Sequence, residues 1–416
     1  MDATITQASL HYALRLAARA VPSRATLPIL QHFLLEAGPN GLTVSATDTE
    51  MAVVTTVPAD VGTPGRATVT ARLLDDFIGH LPDQPVRLTL APNRPRLEVR
   101  SGSFSAGFAT ADVDDFPVLL SADGGAALTL DARRLRDALQ RVTFAAARDE
   151  QRPVLATVLI RSTSDGLVFA AADGFRLARM NLPGAGLPAC EALVPARAAS
   201  EMARLLADAE RCDLLFAPSG RSMQLRVKDT ILFVRLVEGT FPDFDRIIPD
   251  ATETRITVET AVLRRALGAV SLFGGSGSGR PVRVEAGDGR LRLLANSAET
   301  GDAETDVPAE ISGNPQVVTL STPLVADVLA AATGRQLTVD LNGPAAPVVL
   351  REPEDDTGGL WLVMPLFTVD SARSSTAPPT ATTSVTSPAR PHLVPVEDTP
   401  TEPDANQQEP ALPRAA

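Results

Sequence analysis

Lysine is almost missing from this 416-residue chain. Lys228 is the only one, so nearly all of the 38 basic residues are arginine. Aromatics are also scarce, with one Trp and one Tyr, which leaves Ala, Leu and Val to do most of the packing. The two cysteines, Cys190 and Cys212, have neither metal-ligand nor redox spacing and read as buried thiols in a reduced cytoplasm. Four histidines (His11, His32, His80 and His392) show no paired ligand spacing. No Ser/His/Asp or Cys/His arrangement is visible, and the loop GGSGSG (274–279) lacks the Gly-Lys-Ser/Thr ending of a phosphate-binding loop. No catalytic residue, metal or cofactor is expected. No apolar run approaches the roughly 18 residues that span a bilayer, and the N-terminus MDATITQ is polar, so neither membrane anchor nor secretory signal is expected. A net charge of −12 taken alone argues against a nucleic-acid partner. Its distribution does not: arginines cluster on predicted helices, giving an acidic body a locally basic face.

What the chain does have is internal repetition. TITQASLHYALRLAARAV (4–21), LTLDARRLRDALQRVTFAA (128–146) and ITVETAVLRRALGAVSLF (256–273) each run from alternating residues into an amphipathic helix. Each carries an Ala-Leu pair at the matching point: Ala13-Leu14, Ala138-Leu139 and Ala266-Leu267, at offsets of 125 and 128 residues. GLTVSATD and GLVFAAAD begin at Gly41 and Gly166, and Phe116-Pro117 matches Phe241-Pro242, all at the offset of 125. The third copy is looser, with RLRLLAN (290–296) in place of the Gly-Leu strand. A second helix is predicted in each unit (70–81, 195–209 and 321–333), with strands such as 96–102, 223–229 and 347–353 after it. The pattern predicts an α+β fold of three similar domains (1–125, 126–252 and 253–368), each of two βαβββ-type halves with antiparallel sheets. Residues 369–416, rich in Pro, Thr and Ser, read as a disordered tail.

Four motifs then occur in order: SRATLPIL (23–30), ADGFRLA (172–178), FPDFDRIIP (241–249) and VMPLF (363–367). On a three-repeat chain they resemble the β subunit of bacterial DNA polymerase III, the β sliding clamp family, over residues 1 to about 368. The resemblance implies a DNA-clamp fold and a non-enzymatic homodimer. Three domains from each chain would close a ring of six similar units, helices lining the hole and sheets outside. The implied partners are double-stranded DNA, held without sequence specificity, a second copy of the chain, the polymerase III catalytic subunit, the clamp loader and other clamp-motif proteins. A second reading is a clamp-like paralogue with a repair or regulatory role and altered partner binding.

The residues expected to carry this follow. Helix arginines Arg15, Arg19, Arg133, Arg134, Arg136, Arg141, Arg264 and Arg265, with Arg148, are candidates for phosphate contacts. The resemblance singles out Arg24 and Arg72. Near Asp149, Pro153 and Val154 the family tends to have polar or aromatic DNA-contacting residues, and this sequence departs. For the partner-peptide pocket between domains two and three, the matching positions are Arg152, Leu155, Ala172, Gly174, Phe175, Arg176, Leu177, Pro242, Arg246 and Ile247. Domain three adds Ser321, Leu324, Val363, Met364, Pro365 and Leu366. Ala172 and Phe175 replace commoner hydroxyl and His or Tyr choices. For the dimer interface, Phe104, Ala106 and Phe108 alternate on one predicted strand, and Leu272 and Phe273 end a helix.

Overall fold

A computed structural model describes residues 1–90, 95–119, 126–149, 151–184, 191–277, 279–287, 289–355 and 357–366. The predicted tail, Cys190 and Phe367 of the last motif lie outside the described residues.

Each repeat folds as its period predicts. Unit one comprises β1 (Asp2–Thr6), α1 (Gln7–Ala17), β2 (His32–Gly38), β3 (Gly41–Thr47), β4 (Met51–Val57), a short β5 (Asp60–Thr63), β6 (Gly65–Thr70), α2 (Ala71–Gly79), β7 (Pro85–Leu90), β8 (Arg96–Ser101) and β9 (Phe104–Ala111). Unit two runs through β10 (Ala126–Asp131), α3 (Ala132–Thr143), β11 (Thr157–Thr163), β12 (Gly166–Ala172), β13 (Arg176–Pro183), β14 (Glu191–Pro195), α4 (Ala196–Leu205), β15 (Arg211–Phe216), β16 (Ser222–Val227) and β17 (Thr230–Arg235). Unit three repeats it with β18 (Thr254–Glu259), α5 (Thr260–Val270), β19 (Pro281–Gly287), β20 (Arg290–Ser297), β21 (Gly301–Gly313), β22 (Gln316–Ser321), α6 (Thr322–Ala331), β23 (Gln336–Leu341), β24 (Val348–Arg351) and β25 (Leu360–Val363). Units two and three are two βαβββ halves each; unit one adds only β5.

Local chemistry repeats with the topology. The Ala-Leu pairs lie on the inward stripe of α1, α3 and α5, where Leu14, Leu139 and Leu267 are buried. Thr6 and Asp131 cap α1 and α3 by accepting the N–H groups of Ser9 (3.2 Å) and Arg134 (3.0 Å). The first helical N–H in each unit donates to the backbone carbonyl just before the strand that follows the second helix. These are Gln7 to Gln84, Ala132 to Glu210 and Thr260 to Arg335. An orphan donor at the helix start thus ties the two halves of each unit together. Gly41 and Gly166 open equivalent hairpin strands at φ +114° and +142°, and a Cβ on either would lie 2.2 Å from a carbonyl oxygen of the paired strand. Only glycine fits both constraints.

The units are joined by strands. All recorded ladders are antiparallel, and they form two sheets, of 13 and 12 strands, that run across unit boundaries. β4 pairs with β17 (Met51 opposite Val234 through Thr55 opposite Thr230), and β13 pairs with β25 (Arg176 opposite Val363 through Arg179 opposite Leu360). Both seams join the same two places: the fourth strand of one unit and the last strand of the next. Helices pack over one side of the sheets, with a core containing residues of all three units.

Arginines paired with buried carboxylates reinforce the seams. Arg141, at the end of α3, lies 5.0 Å over the Trp361 ring and pairs with Glu352 and with Asp355 (2.9 Å), while Trp361 Nε1 donates to the Arg141 carbonyl at 3.0 Å. Its side chain is 14% exposed. Arg141 was expected to meet DNA. The structure corrects this, because its guanidinium is committed to two carboxylates of unit three. At the other seam Arg197 pairs with Asp48, and the buried Glu201 takes both Arg19 (3.2 Å) and Arg204. No described helix is long and apolar enough to cross a membrane, and no described group of His, Cys, Asp and Glu is placed to hold a metal.

Replacing Arg141 with Ala strands two buried carboxylates and should cost about 3–5 kcal/mol of stability. Chemical unfolding should record the loss, with the sole Trp, Trp361, as reporter. Burial opposes ionisation of Asp355, but hydrogen bonds from Thr357 and the Arg141 charge outweigh it and hold the carboxyl below its ordinary 3.8. This contribution is therefore present above the unfolded carboxylate pKa and is lost as pH falls through the lower folded value. The difference between wild type and Arg141→Ala should shrink below about pH 4.

Candidate nucleic-acid and partner interfaces

Among the arginines expected to meet phosphates, exposure and hydrogen bonding together separate free groups from committed ones, Arg264 being exposed yet bonded. Arg24 is exposed in the loop between two short 3-10 turns (18–20 and 28–31), and Arg15, Arg133, Arg134, Arg148 and Arg265 are exposed as well. Arg72, the second residue of α2, has a side chain 93% exposed, with Asp76 3.8 Å away. Such an exposed i,i+4 pair holds its guanidinium only weakly. Arg136 is half-buried and bonded to Asp137 and the Ala207 carbonyl. Arg264 donates to the Leu329 and Ala332 carbonyls. Arg19 and Arg141 are the seam residues described above.

The pocket motifs converge on the outer side of the second seam. Alternation along β12, β13, β24 and β25 sends Phe169, Ala178, Leu350 and Trp361 to the helix side. Ala170, Leu177, Val349 and Leu362 go to a second apolar cluster on the opposite face. That outer cluster is roofed by Phe241 and Phe244, whose rings meet edge to face at 6.1 Å. Half-buried Val154, Ala172, Ile248 and Met364 pack against it. Met364 N–H donates to the Phe175 carbonyl (2.8 Å), and Leu366 N–H to the Thr319 carbonyl (2.8 Å), so the closing motif runs between units two and three. Asp173 forms the turn by accepting the N–H groups of Phe175 (2.9 Å) and Arg176 (3.0 Å). Gly174, at φ +95°, lies beside the Arg152 guanidinium.

Within this group, exposed and structural positions differ. Phe175 (61% exposed) and Ile247 (46%) present large apolar surface, and Arg152, Pro242 and Arg246 are exposed around them, with Leu155 and Leu366 partly so. Arg176, Leu177, Ser321, Val363 and Pro365 are buried, so they were expected in the lining but form the floor and frame. Arg176 is another seam residue, pairing with Asp173 (3.0 Å) and Asp327 of α6 (2.5 Å) over the Phe144 ring. Leu324 is partly buried against the main core. Sequence reasoning missed Phe241 and Phe244 as the roof. Two aromatics bracketing a Pro in a non-periodic run were the available signal.

The expected dimer-interface residues divide as well. Phe104 is 46% and Leu272 74% exposed, Ala106 is half-buried, and Phe273 packs partly on the core. Phe108 departs from expectation. It is 4% exposed, with its ring edge to face with Phe77 at 5.6 Å, because the strand turns that side chain into the core of unit one. Besides the strands that end the two sheets (β10, β5, β14 and β22), β9 and β21 each leave an edge open among the described residues. β9 pairs with β6 only at Thr110 and Ala111, leaving 104–109 unpaired on that side. β21 pairs with β18 only from Ala309 to Gly313, leaving 301–308 unpaired there.

Comparison with known proteins accounts for this arrangement. Family models for the N-terminal, central and C-terminal domains of the DNA polymerase III β subunit match residues 1–120, 129–243 and 245–366. The β sliding clamp of Synechocystis is 30% identical, the alignment covering 88% of this chain and 98% of that protein. A Pseudomonas aeruginosa sliding clamp solved with griselimycin bound superposes with a TM-score of 0.84 at 26% identity, covering 88% of this chain and all of that one. The Bacillus subtilis sliding clamp shares the fold with a TM-score of 0.85 at 24% identity, covering 88% of this chain and 99% of that one. The proteins matched are clamps, which does not favour the reading as a repair or regulatory paralogue. Three repeated units, seams built by strand addition and a match along the whole described chain place it in one family: the chain belongs to the bacterial DNA polymerase III β subunits, the non-catalytic β sliding clamps.

Proposed function

We propose that two copies close head to tail into a ring around duplex DNA and tether polymerases and repair factors through the cleft at the second seam. The observation that carries this is the seam rule. Within the chain, the fourth strand of one unit pairs with the last strand of the next, twice over. Continuing it requires β21 of one chain to pair with β9 of another, and each of these strands has an open edge. Exposed Phe104 and Leu272 supply apolar contact beside that junction, with Phe273 partly exposed. Charge complements it: Asp302 and Glu304 are exposed on β21, and Arg96 and Arg100 are exposed on the β8 neighbour of β9. A long unpaired edge left bare invites aggregation, so a defined partner strand is the economical solution.

In such a ring the helix face meets DNA through Arg24 and Arg72, with Arg148 and the exposed helix arginines. Their spread suits contacts to phosphates without base readout. Arg136 contributes less, being half-committed to Asp137. At the outer cleft, a partner peptide of the replicative polymerase, the clamp loader or a repair factor would set apolar anchors against Phe175, Ile247 and Met364. Arg152 and Arg246 stand at its rim.

Light scattering should give the mass of a dimer, and the protein should stay on closed circular duplex and slide off once the circle is cut. A monomer, or equal retention on both forms, overturns the ring. Replacing Leu272 with Asp should halve the mass without unfolding the chain, since that side chain is already exposed. Replacing Arg24 and Arg72 together with Ala should speed loss from circles at moderate salt. It should also flatten the slope of log affinity against log salt by roughly 1 to 2. Phe175→Ala should weaken a labelled clamp-motif peptide by about 2 kcal/mol, roughly thirtyfold, in an anisotropy titration.

A further inference from the structure

Between units one and two, on the helix side, lies a cleft of about 470 Å³. Its walls are α1, α4 and the β16–β17 turn. We propose that this cleft takes a nucleoside phosphate of an unpaired DNA strand, its base stacked on Tyr12 and its phosphates met by Arg15, Arg204 and Lys228.

Tyr12 is the only tyrosine of the chain and is 56% exposed on α1. It presents a ring to solvent on the cleft wall instead of to the core. Arg15 follows one turn later on the same helix face and makes no hydrogen bond or ion pair among the described residues. Across the cleft, the buried Glu201 must serve both Arg19 and Arg204, so that trio keeps a positive charge. Arg19 Nε is buried there without a hydrogen-bond partner. Lys228, the single lysine, sits at the hairpin turn with φ +51°, and its Nζ donates to the Asp208 carbonyl at 3.0 Å. That neutral acceptor anchors the ammonium at the cleft without cancelling its charge. Two carboxylates, Asp75 and Asp208, also line the cleft. Burial pushes the Asp75 carboxyl above its ordinary value, an effect His11 and Arg15 only partly offset. Leu16, Leu205 and Val227 give an apolar floor.

An aromatic ring beside converging cations is the chemistry that holds unpaired strands: any base stacks, and the cations follow the backbone. A duplex keeps its bases stacked inside and has no use for Tyr12. The inference rests on the helix face being the DNA side, and a ring at a primer end meets both duplex and single strand.

The test uses the full-length protein and three probes: a labelled short oligothymidylate, free thymidine triphosphate, and closed circular duplex. The oligomer should bind, and Tyr12→Ala should weaken it by roughly five- to a hundredfold. Tyr12→Phe should restore it, and retention on circular duplex should be unchanged in both variants. Lys228→Met should weaken the oligomer and flatten its salt dependence. Equal oligomer affinity in wild type and Tyr12→Ala overturns the assignment, as does a site that takes the free nucleotide but not the oligomer. Loss of wild-type retention on circles would instead overturn the ring, and it is read separately from oligomer binding.

Discussion

A β-strand edge is a row of unpaired N–H and C=O groups, and it must be paired, covered or left to attract another chain. The architecture follows from how this chain handles that constraint. Each unit exposes an edge on its fourth strand and another on its last. Pairing one unit's fourth strand with the next unit's last strand turns separate sheets into two long ones, and the ladder carries the same geometry from unit to unit. Side chains along the seam conform to it: Thr55 and Thr230, opposite each other and buried, share a hydrogen bond of 2.9 Å between their hydroxyls. A repeat that joins itself this way always leaves one edge at each end, which is why strand pairing and oligomeric state are a single question here.

The near-absence of lysine has a physical counterpart at these seams. Arg141 stacks on Trp361 while meeting two carboxylates, and Arg176 stacks on Phe144 while meeting two more. Within unit two, away from the seams, Arg161 likewise lies over Phe244 and reaches Glu191. Each site needs a flat cation with several donors in one plane and a face for an aromatic ring. A guanidinium supplies both, and an ammonium supplies neither. Such pairs fix the angle between units more than they add net stability, because desolvation offsets much of the attraction. Fixed angles are what a closed curve of rigid units requires.

Helices, hairpins and the repeat were legible because they are local. Periods of 3.6 and 2, an Ala-Leu pair on an inward stripe and a glycine at positive φ all leave marks within a few residues. The division of labour among arginines was not legible. Arg136 and Arg141 sit on one helix with similar neighbours, yet Arg141 is bound because Glu352 arrives 211 residues later in sequence. No window along the chain contains both. Phe108 failed for a related reason: alternation assigns it the same face as Phe104, but unit one has Phe77 waiting under one ring and nothing under the other. For the pocket, the motif residues were located while their roles were not. Burial sorts Phe175 and Ile247 from Arg176, Leu177 and Val363, and burial on a doubly covered sheet depends on the distant strap carrying Phe241 and Phe244.

The third repeat carries a strand, β21, with two different roles at the seams. β4 and β13 each pair along one unit and then hand over to a strand of the same chain, held close by the intervening backbone. β21 is 13 residues long because it does two jobs. Its second half closes unit three against β18, and its first half continues beyond that strand as an open edge. A junction between separate chains receives no help from chain connectivity, so its ladder must be longer or its side-chain contacts better to reach the same strength. The seams inside the chain also have buried ion pairs that the open edges lack among the described residues. In the proposed ring, which has both kinds of junction, the one between chains would be the weaker.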